Sequence, residues 1–330
     1  VVNALGWWAI GTVGAIALAA MIGEGILRWR FGFGTPPLYV ADPHTGYRLK
    51  PNRHIRRFGN RISVNAHSMR GPDLMPEGTT LRVLLLGDSI ANGGWWTDDA
   101  DTMGARLERE LARLLPVHGL ARSITQSAAL TNRPIEVLNA SANSWGPRNE
   151  LGYLRSFGAF SAKAIVLLLN TDDLFAGAPS SVRVGRDPNY PDREPPLAWI
   201  ELWQRFRPAR LAPELQHLPP EPGDIVGINL GTIAQIRDYA RDHHAVFVVA
   251  ITPLRREVEG KGRDYEARAR DRLGEFVARE GIGLLDFLPT WRDRPQGASL
   301  FRDSIHLSDL GNELVSRAIA KRLARLLDRS

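Results

Sequence analysis

Hydrophobic residues are distributed along this chain in two patterns, short unbroken runs and helical stripes, which alternate over most of its length. The runs at residues 81–86, 135–139, 164–169, 245–251 and 283–287 are almost wholly apolar. Runs of this kind suit strands buried on both faces, as in a parallel sheet. Between them, apolar positions recur at helical spacing. Met103, Leu107, Leu111 and Leu114 follow a Thr102 cap, and Leu310, Leu314, Ala318 and Leu326 follow Ser308. Residues 148–157, 228–241 and 264–279 complete the set of helices in this pattern. Five strands alternating with helices predict a doubly wound α/β sheet that begins at residue 81.

The flanking regions differ. Residues 4–23 form a 20-residue stretch without a formal charge, bracketed by Trp7 and Trp8 at one end and by Arg28, Trp29 and Arg30 at the other. At about 1.5 Å per residue it matches the hydrocarbon thickness of a bilayer, with aromatic and basic anchors at its ends. The apolar stretch is longer than a signal-peptide core, and Met21, Ile22, Gly23, Glu24 and Gly25 make a poor cleavage site. A single transmembrane anchor is expected at 1–30. Residues 31–80 read as a linker and a small β-containing lead-in without a core of its own, with an edge strand at 61–65. The α/β domain then occupies 81–330.

One insertion, 174–226, interrupts it and holds ten of the 22 prolines. Its helix-compatible aromatic patch is Trp199, Ile200, Glu201, Leu202, Trp203, Gln204, Arg205 and Phe206. A stretch this long suggests a lid, a surface for a protein partner or a membrane-contacting flap; aromatic packing of the insertion onto the core is the alternative.

Charge adds little to this picture. The net charge of +6 comes from scattered arginines, and no zinc-finger, RNP or basic-arm pattern accompanies it, so it reads as a solubilising basic surface and no nucleic-acid partner is expected. The chain has no cysteine, which excludes disulfides, cysteine-ligated metal centres and a cysteine nucleophile. It also lacks H-E-x-x-H and any clustered His/carboxylate set, so neither a metal nor a cofactor is expected.

Candidate chemistry gathers where an open α/β sheet concentrates it, at the carboxyl ends of strands. Gly87, Asp88 and Ser89 follow the first run, where Ser89 is either a nucleophile or an ordinary helix cap. A serine nucleophile needs a base within hydrogen-bond reach and a third group to orient that base. Near the far end of the chain, Asp303 and His306 lie three residues apart on a loop and fill those roles. The absence of G-x-S-x-G excludes the α/β-hydrolase elbow.

Four blocks then stand in order: Gly87-Asp88-Ser89; Asn139-Ala140-Ser141-Ala142-Asn143-Ser144; Asn170-Thr171-Asp172-Asp173; and Asp303-Ser304-Ile305-His306. Over residues 80–330 the sequence resembles the SGNH or GDSL hydrolases, which are flavodoxin-like serine esterases, lipases, thioesterases and carbohydrate deacetylases. The resemblance implies a flavodoxin-like, five-stranded parallel sheet behind the transmembrane helix, and a triad of Ser89, His306 and Asp303. The oxyanion hole would use the N–H groups of Ser89 and Ser144. Two positions depart from the family pattern. Ser144 stands for a glycine and keeps its N–H. Asp172 stands for an asparagine whose amide donates to the oxyanion; an ionised carboxylate cannot donate, and losing such a donor costs roughly a hundredfold to a thousandfold in rate. Protonation of Asp172 through burial and Asp173, an amide from Asn143 or Asn170, or a block displaced by a residue or two would restore a donor; loss of catalysis is the fourth outcome.

The expected activity is hydrolysis of O-acyl esters, acetyl esters first, on a glycan or lipid, with Gly93, Gly94, Trp95 and Trp96 as an aromatic rim or as packing. An O-acetyltransferase and a catalytically impaired binding or scaffold protein are the rivals. Arg28 and Arg30, taken literally, point the main domain to the cytoplasm. Residues 47–71, with Pro51, Asn52, Asn65, Met69, Arg70 and Gly71, resemble the lead-in of membrane-anchored bacterial members, notably cyanobacterial ones, and this implies an extracytoplasmic, periplasmic domain.

Overall fold

The computed structural model describes residues 4–115, 133–206 and 221–328. Helix α1 (Ala4–Ile26) continues through a π-helical turn, Leu27–Phe31, and ends at Gly32 in the left-handed region (φ 71°). A Cβ at Gly32 would lie 1.9 Å from the Arg56 carbonyl oxygen, so only glycine lets the chain turn there against the domain. The span Ile10–Phe31 is the one helix among the described residues long and apolar enough to cross a membrane. Two antiparallel hairpins follow, β1 (Tyr39–Asp42) with β2 (Gly46–Leu49) and β3 (Arg53–Arg57) with β4 (Asn60–Val64). The 31–43 segment is docked onto the domain: Phe33, Leu38 and Tyr39 are buried, and Phe33 packs edge-on against Phe58.

Five parallel strands form the main sheet: β5 (Leu81–Gly87), β6 (Ile135–Ser141), β7 (Ala164–Asn170), β8 (Val246–Thr252) and β9 (Gly283–Asp286), in the order β6-β5-β7-β8-β9. All seven residues of β5 are buried, as its place between two neighbours demands. Its side chains alternate between the faces of the sheet. Val83 and Leu85 join the cluster that holds Met103, Leu107 and Leu111, whereas Leu84 and Leu86 join the one with Leu151, Ile233 and Leu273.

The helices are α2 (Ser89–Asn92), α3 (Met103–Leu114), α4 (Pro147–Phe157), α5 (Ala198–Phe206), α6 (Ile225–Asp242), α7 (Arg255–Val258), α8 (Asp264–Arg279), α9 (Leu288–Arg292) and α10 (Asp309–Leu327). The expected caps are present: Thr102 Oγ1 accepts from the Ala105 N–H and Ser308 Oγ from the Gly311 N–H, each at 3.3 Å. The core of α3 and α10 covers one face and that of α4, α6 and α8 the other. Tyr39, Tyr47, Leu49, Val64 and Met69 of the lead-in belong to this second core. The lead-in also reaches the sheet edge, where the Arg70 N–H donates to the Asn139 carbonyl at 2.9 Å. The aromatic patch of the insertion is helix α5; part of the insertion lies outside the described residues.

The end of β5 is the tightest point of this packing. A Cβ on Gly87 would stand 2.8 Å from both the Ala91 methyl and the Leu168 carbonyl oxygen. Gly87→Ala is expected to cost roughly 1–3 kcal/mol, the usual range for overpacking a dense interior. Denaturant unfolding of the variant checks this; an unchanged midpoint and slope would show that β5 and β7 are not held this closely.

Candidate active site

Gly87 lets the chain turn from β5 directly into α2, and the cap of that helix is Asp88. Its Oδ1 accepts from the Ile90 N–H at 2.8 Å. Ser89 is therefore the first helical residue rather than the cap, and its hydroxyl is left to face the loop that carries His306. That loop is shaped by Asp303, whose Oδ1 accepts from the N–H groups of Ile305 (3.0 Å) and His306 (2.8 Å). Asp303 Oδ2 lies 2.8 Å from His306 Nδ1, and His306 Nε2 lies 2.9 Å from Ser89 Oγ.

The Asp303 carboxylate faces Nδ1 of the His306 ring. Burial pushes the Asp303 carboxyl up, but the N–H groups of Ile305 and His306 and the imidazole outweigh it and hold the group below its ordinary range. A carboxylate at Nδ1 can only accept, so the tautomer with its proton on Nδ1 is the one that offers an Nε2 lone pair to the Ser89 hydroxyl. The ring is flanked by Trp96, edge-on at 4.7 Å, and Arg302 stacks over Trp96 at 4.8 Å. Two cavities, of about 360 and 720 Å³, are both lined by Ser89, Ser144, Arg183 and His306.

The other expected residues divide between reactive and supporting positions. Ser144 adopts the left-handed region (φ 56°), exposed at the mouth, and its Oγ accepts from the Tyr190 hydroxyl at 2.9 Å. This conformation favours glycine, the residue that the resemblance places there. Asn143 lines the smaller cavity; its carbonyl accepts from the Tyr47 hydroxyl at 2.7 Å, and its buried Oδ1 has no hydrogen-bond partner among the described residues. Asn170 lines the larger cavity, but its amide is already committed. Its Nδ2 donates to Asp88 Oδ2 and Asp173 Oδ2, both at 2.9 Å, and its Oδ1 accepts from the Asp172 N–H at 2.7 Å. Asp172 lines the larger cavity, half-exposed, 3.6 Å from the Arg256 guanidinium. Burial raises its carboxyl above the ordinary range despite Arg256.

Sequence reasoning missed the support beneath these groups. Arg70 is buried and donates to Asp99 (2.8 Å) and to the carbonyls of Gly94 (2.9 Å) and Thr97 (2.7 Å), fixing the loop that carries Trp95 and Trp96. Tyr190 and Arg256 lie far from any block, and nothing in the local sequence marks them. Glu150, on α4, is fully buried with neither carboxyl oxygen partnered among the described residues. Among the described residues no His, Cys, Asp and Glu cluster is able to hold a metal ion.

Comparison with known proteins places this geometry in context. The model of the GDSL-like Lipase/Acylhydrolase family matches residues 85–314. Similar solved structures include a lipase/acylhydrolase from Enterococcus faecalis, at 13% identity and a TM-score of 0.44, over 74% of this chain and 96% of that one. TesA is similar at 16% identity and a TM-score of 0.45, over 74% and 99%. A catalytic mutant of an acetylxylan esterase from Geobacillus stearothermophilus is similar at 14% identity and a TM-score of 0.44, over 76% and 96%. No curated protein matches.

The buried acids generate a pH prediction. Burial first, and then the nearby Asp88, hold the Glu150 carboxyl well above its ordinary range. Between the ordinary and the raised value the folded chain binds a proton that the unfolded chain has released, so stability falls as pH rises through that window. Glu150→Gln should shrink the difference in melting temperature between about pH 5 and about pH 8, chiefly by raising the value at the higher pH. An unaltered difference would show that Glu150 is not buried as a lone acid.

Proposed function

The chain belongs to the GDSL-like lipase/acylhydrolase family, and we propose that it is a membrane-anchored serine esterase that removes O-acyl groups, acetyl groups first, from a glycan or lipid outside the cytoplasmic membrane. The observation that carries this reading is the unbroken line from Asp303 Oδ2 through His306 to Ser89 Oγ, with both contacts under 3 Å. Ser89 Oγ attacks the ester carbonyl while His306 Nε2 takes its proton. The tetrahedral intermediate collapses as His306 returns that proton to the departing alkoxide, and water then repeats the sequence on the acyl-enzyme. Asp303 holds the ring in the required tautomer and stabilises the imidazolium.

The N–H groups of Ser89 and Ser144 are assigned to the oxyanion. Asn143 is the amide left to assist, since Asn170 is committed to Asp88 and Asp173. The smaller cavity, about 360 Å³, falls at the low end of small-ligand sites and suits a short acyl group with the sugar or headgroup that bears it. The span Ile10–Phe31 supports the anchor. A second reading, acyl transfer to a sugar hydroxyl, draws on the two cavities that meet at Ser89, one able to take a donor and the other an acceptor. Acetate release that falls as an oligosaccharide acceptor is added, with acetylated oligosaccharide appearing, would select transfer over hydrolysis.

Intact mass after exposure to a fluorophosphonate should show one label on the full chain and none on Ser89→Ala; an unlabelled chain overturns the reading. Asp303→Asn keeps the geometry but favours the wrong tautomer, and is expected to lower kcat by roughly a thousandfold or more. Asp172→Asn removes a charge that opposes the oxyanion and supplies a donor. It should raise kcat on p-nitrophenyl acetate by roughly tenfold to a hundredfold, within what one such donor is worth. No gain would show that the Asp172 side chain is remote from the oxyanion.

A further inference from the structure

Helix α5 carries two different faces. Ala198, Glu201 and Leu202 turn inward, against Leu27 and Phe33. Trp199, Trp203 and Phe206, spaced i, i+4 and i+7, form a stripe on the other side and are 42%, 59% and 79% exposed. An aromatic stripe of this extent on a nine-residue helix is the signature of a surface that meets something apolar.

The start of α5 is tied to α1. Glu24 accepts from the N–H groups of Ala198 (2.8 Å) and Trp199 (3.2 Å), and the Trp199 indole donates to the Ala20 carbonyl at 3.0 Å. Gly23 makes the approach possible, since a Cβ there would sit 2.4 Å from the indole ring. These ties fall where the uncharged run of α1 gives way to Glu24, Arg28 and Arg30, the depth at which a transmembrane helix leaves hydrocarbon for headgroups. The inner face is seated on a buried ion pair. Arg57 meets Glu201 at 2.5 Å and the Gly32 carbonyl at 2.8 Å, and the Gly34 N–H donates to Glu201 at 2.7 Å.

On its inner side α5 walls a cavity of about 1050 Å³ through Ile200, Glu201, Gln204 and Arg205. This cavity shares Pro36, Asp187, Pro188, Asn189, Pro191 and Arg205 with the 360 Å³ cavity at Ser89. We infer that α5 lies in the bilayer interface, with Trp199, Trp203 and Phe206 among the headgroups, and that membrane-resident acyl esters reach Ser89 through the adjoining cavities. The inference rests on the anchored-esterase reading and narrows its substrate to an ester borne by the membrane. An amphipathic helix with an aromatic face is suited to that position.

The chain contains no cysteine, so single labels can be placed in it. The full chain, reconstituted in phosphatidylethanolamine/phosphatidylglycerol vesicles doped with phosphatidylcholine brominated near the headgroup, would carry bimane at Trp203→Cys, Phe206→Cys or, as control, the exposed Lys321→Cys on α10. Quenching at least threefold stronger at the two α5 positions than at the control is expected; equal quenching overturns the placement of α5. The double variant Trp203→Glu, Phe206→Glu should lose at least tenfold in turnover of a long-chain fluorogenic ester in the vesicle, and keep its turnover of p-nitrophenyl acetate. Equal losses on both esters, or none on either, overturn delivery from the membrane. Failure of the unmodified chain to cleave p-nitrophenyl acetate would instead overturn the esterase reading, with the quenching still deciding where α5 lies. Release of the chain by carbonate washing would overturn the anchor and this inference together.

Discussion

The missing side chain of Gly87 is the constraint on which the site depends. Strand β5 is an inner strand that leads into Ser89, and its last residue has the Leu168 carbonyl on one side and Ala91, already part of the next helix, on the other. Because nothing protrudes from Gly87, the chain turns into α2 within two residues, Asp88 caps the helix and Ser89 emerges at the carboxyl edge of the sheet. A parallel arrangement brings the ends of β6 and β7 to the same edge, where Gly87 is in register with Ser141 and Leu168. Short connections from three strands thus place Ser89, Asn143, Ser144, Asn170 and Asp172 around one point, and α10 brings the His306 loop to it from the far end of the chain.

The carboxylates around that point divide by environment. Asp303 is held ionised by N–H donors and the imidazole, and so can support a cation on His306. Asp88 and Asp173 sit in the interior on either side of the Asn170 amide, and burial raises both. Their cost is offset in part by that shared donor. Asp172 belongs to neither group; its partner is Arg256, at 3.6 Å.

The basic composition has a structural use that its scatter conceals. Arg57, Arg70, Arg82 and Arg270 are buried and hydrogen-bonded, and each joins segments far apart in sequence. Guanidinium groups suit this, since a planar fork satisfies several acceptors at once. Arg70 secures the tryptophan loop beside His306, and Arg57 secures α5 against the end of α1. In this way the lead-in, which has no independent core, connects the end of α1 to the carboxyl edge of the sheet.

The alternation of apolar runs and helical stripes determined the fold by itself, because a strand buried on both faces and an amphipathic helix each leave a local periodicity. The turns that bring Ser89 and His306 together were legible for a related reason. Gly87-Asp88-Ser89 and Asp303-Ser304-Ile305-His306 are short, locally shaped turns, and the proposed triad would need those residue types at that spacing. What committed the Asn170 amide to Asp88 and brought Arg256 beside Asp172 was contact between segments about 80 residues apart. The aromatic patch in the insertion showed the same limit. Its helical spacing could be read, but its seat rests on Glu24, Gly23 and Arg57, residues some 140 to 180 positions away that only tertiary packing brings against it. Periodicity is a property of neighbours in the chain, whereas a hydrogen-bond partner is a property of neighbours in space.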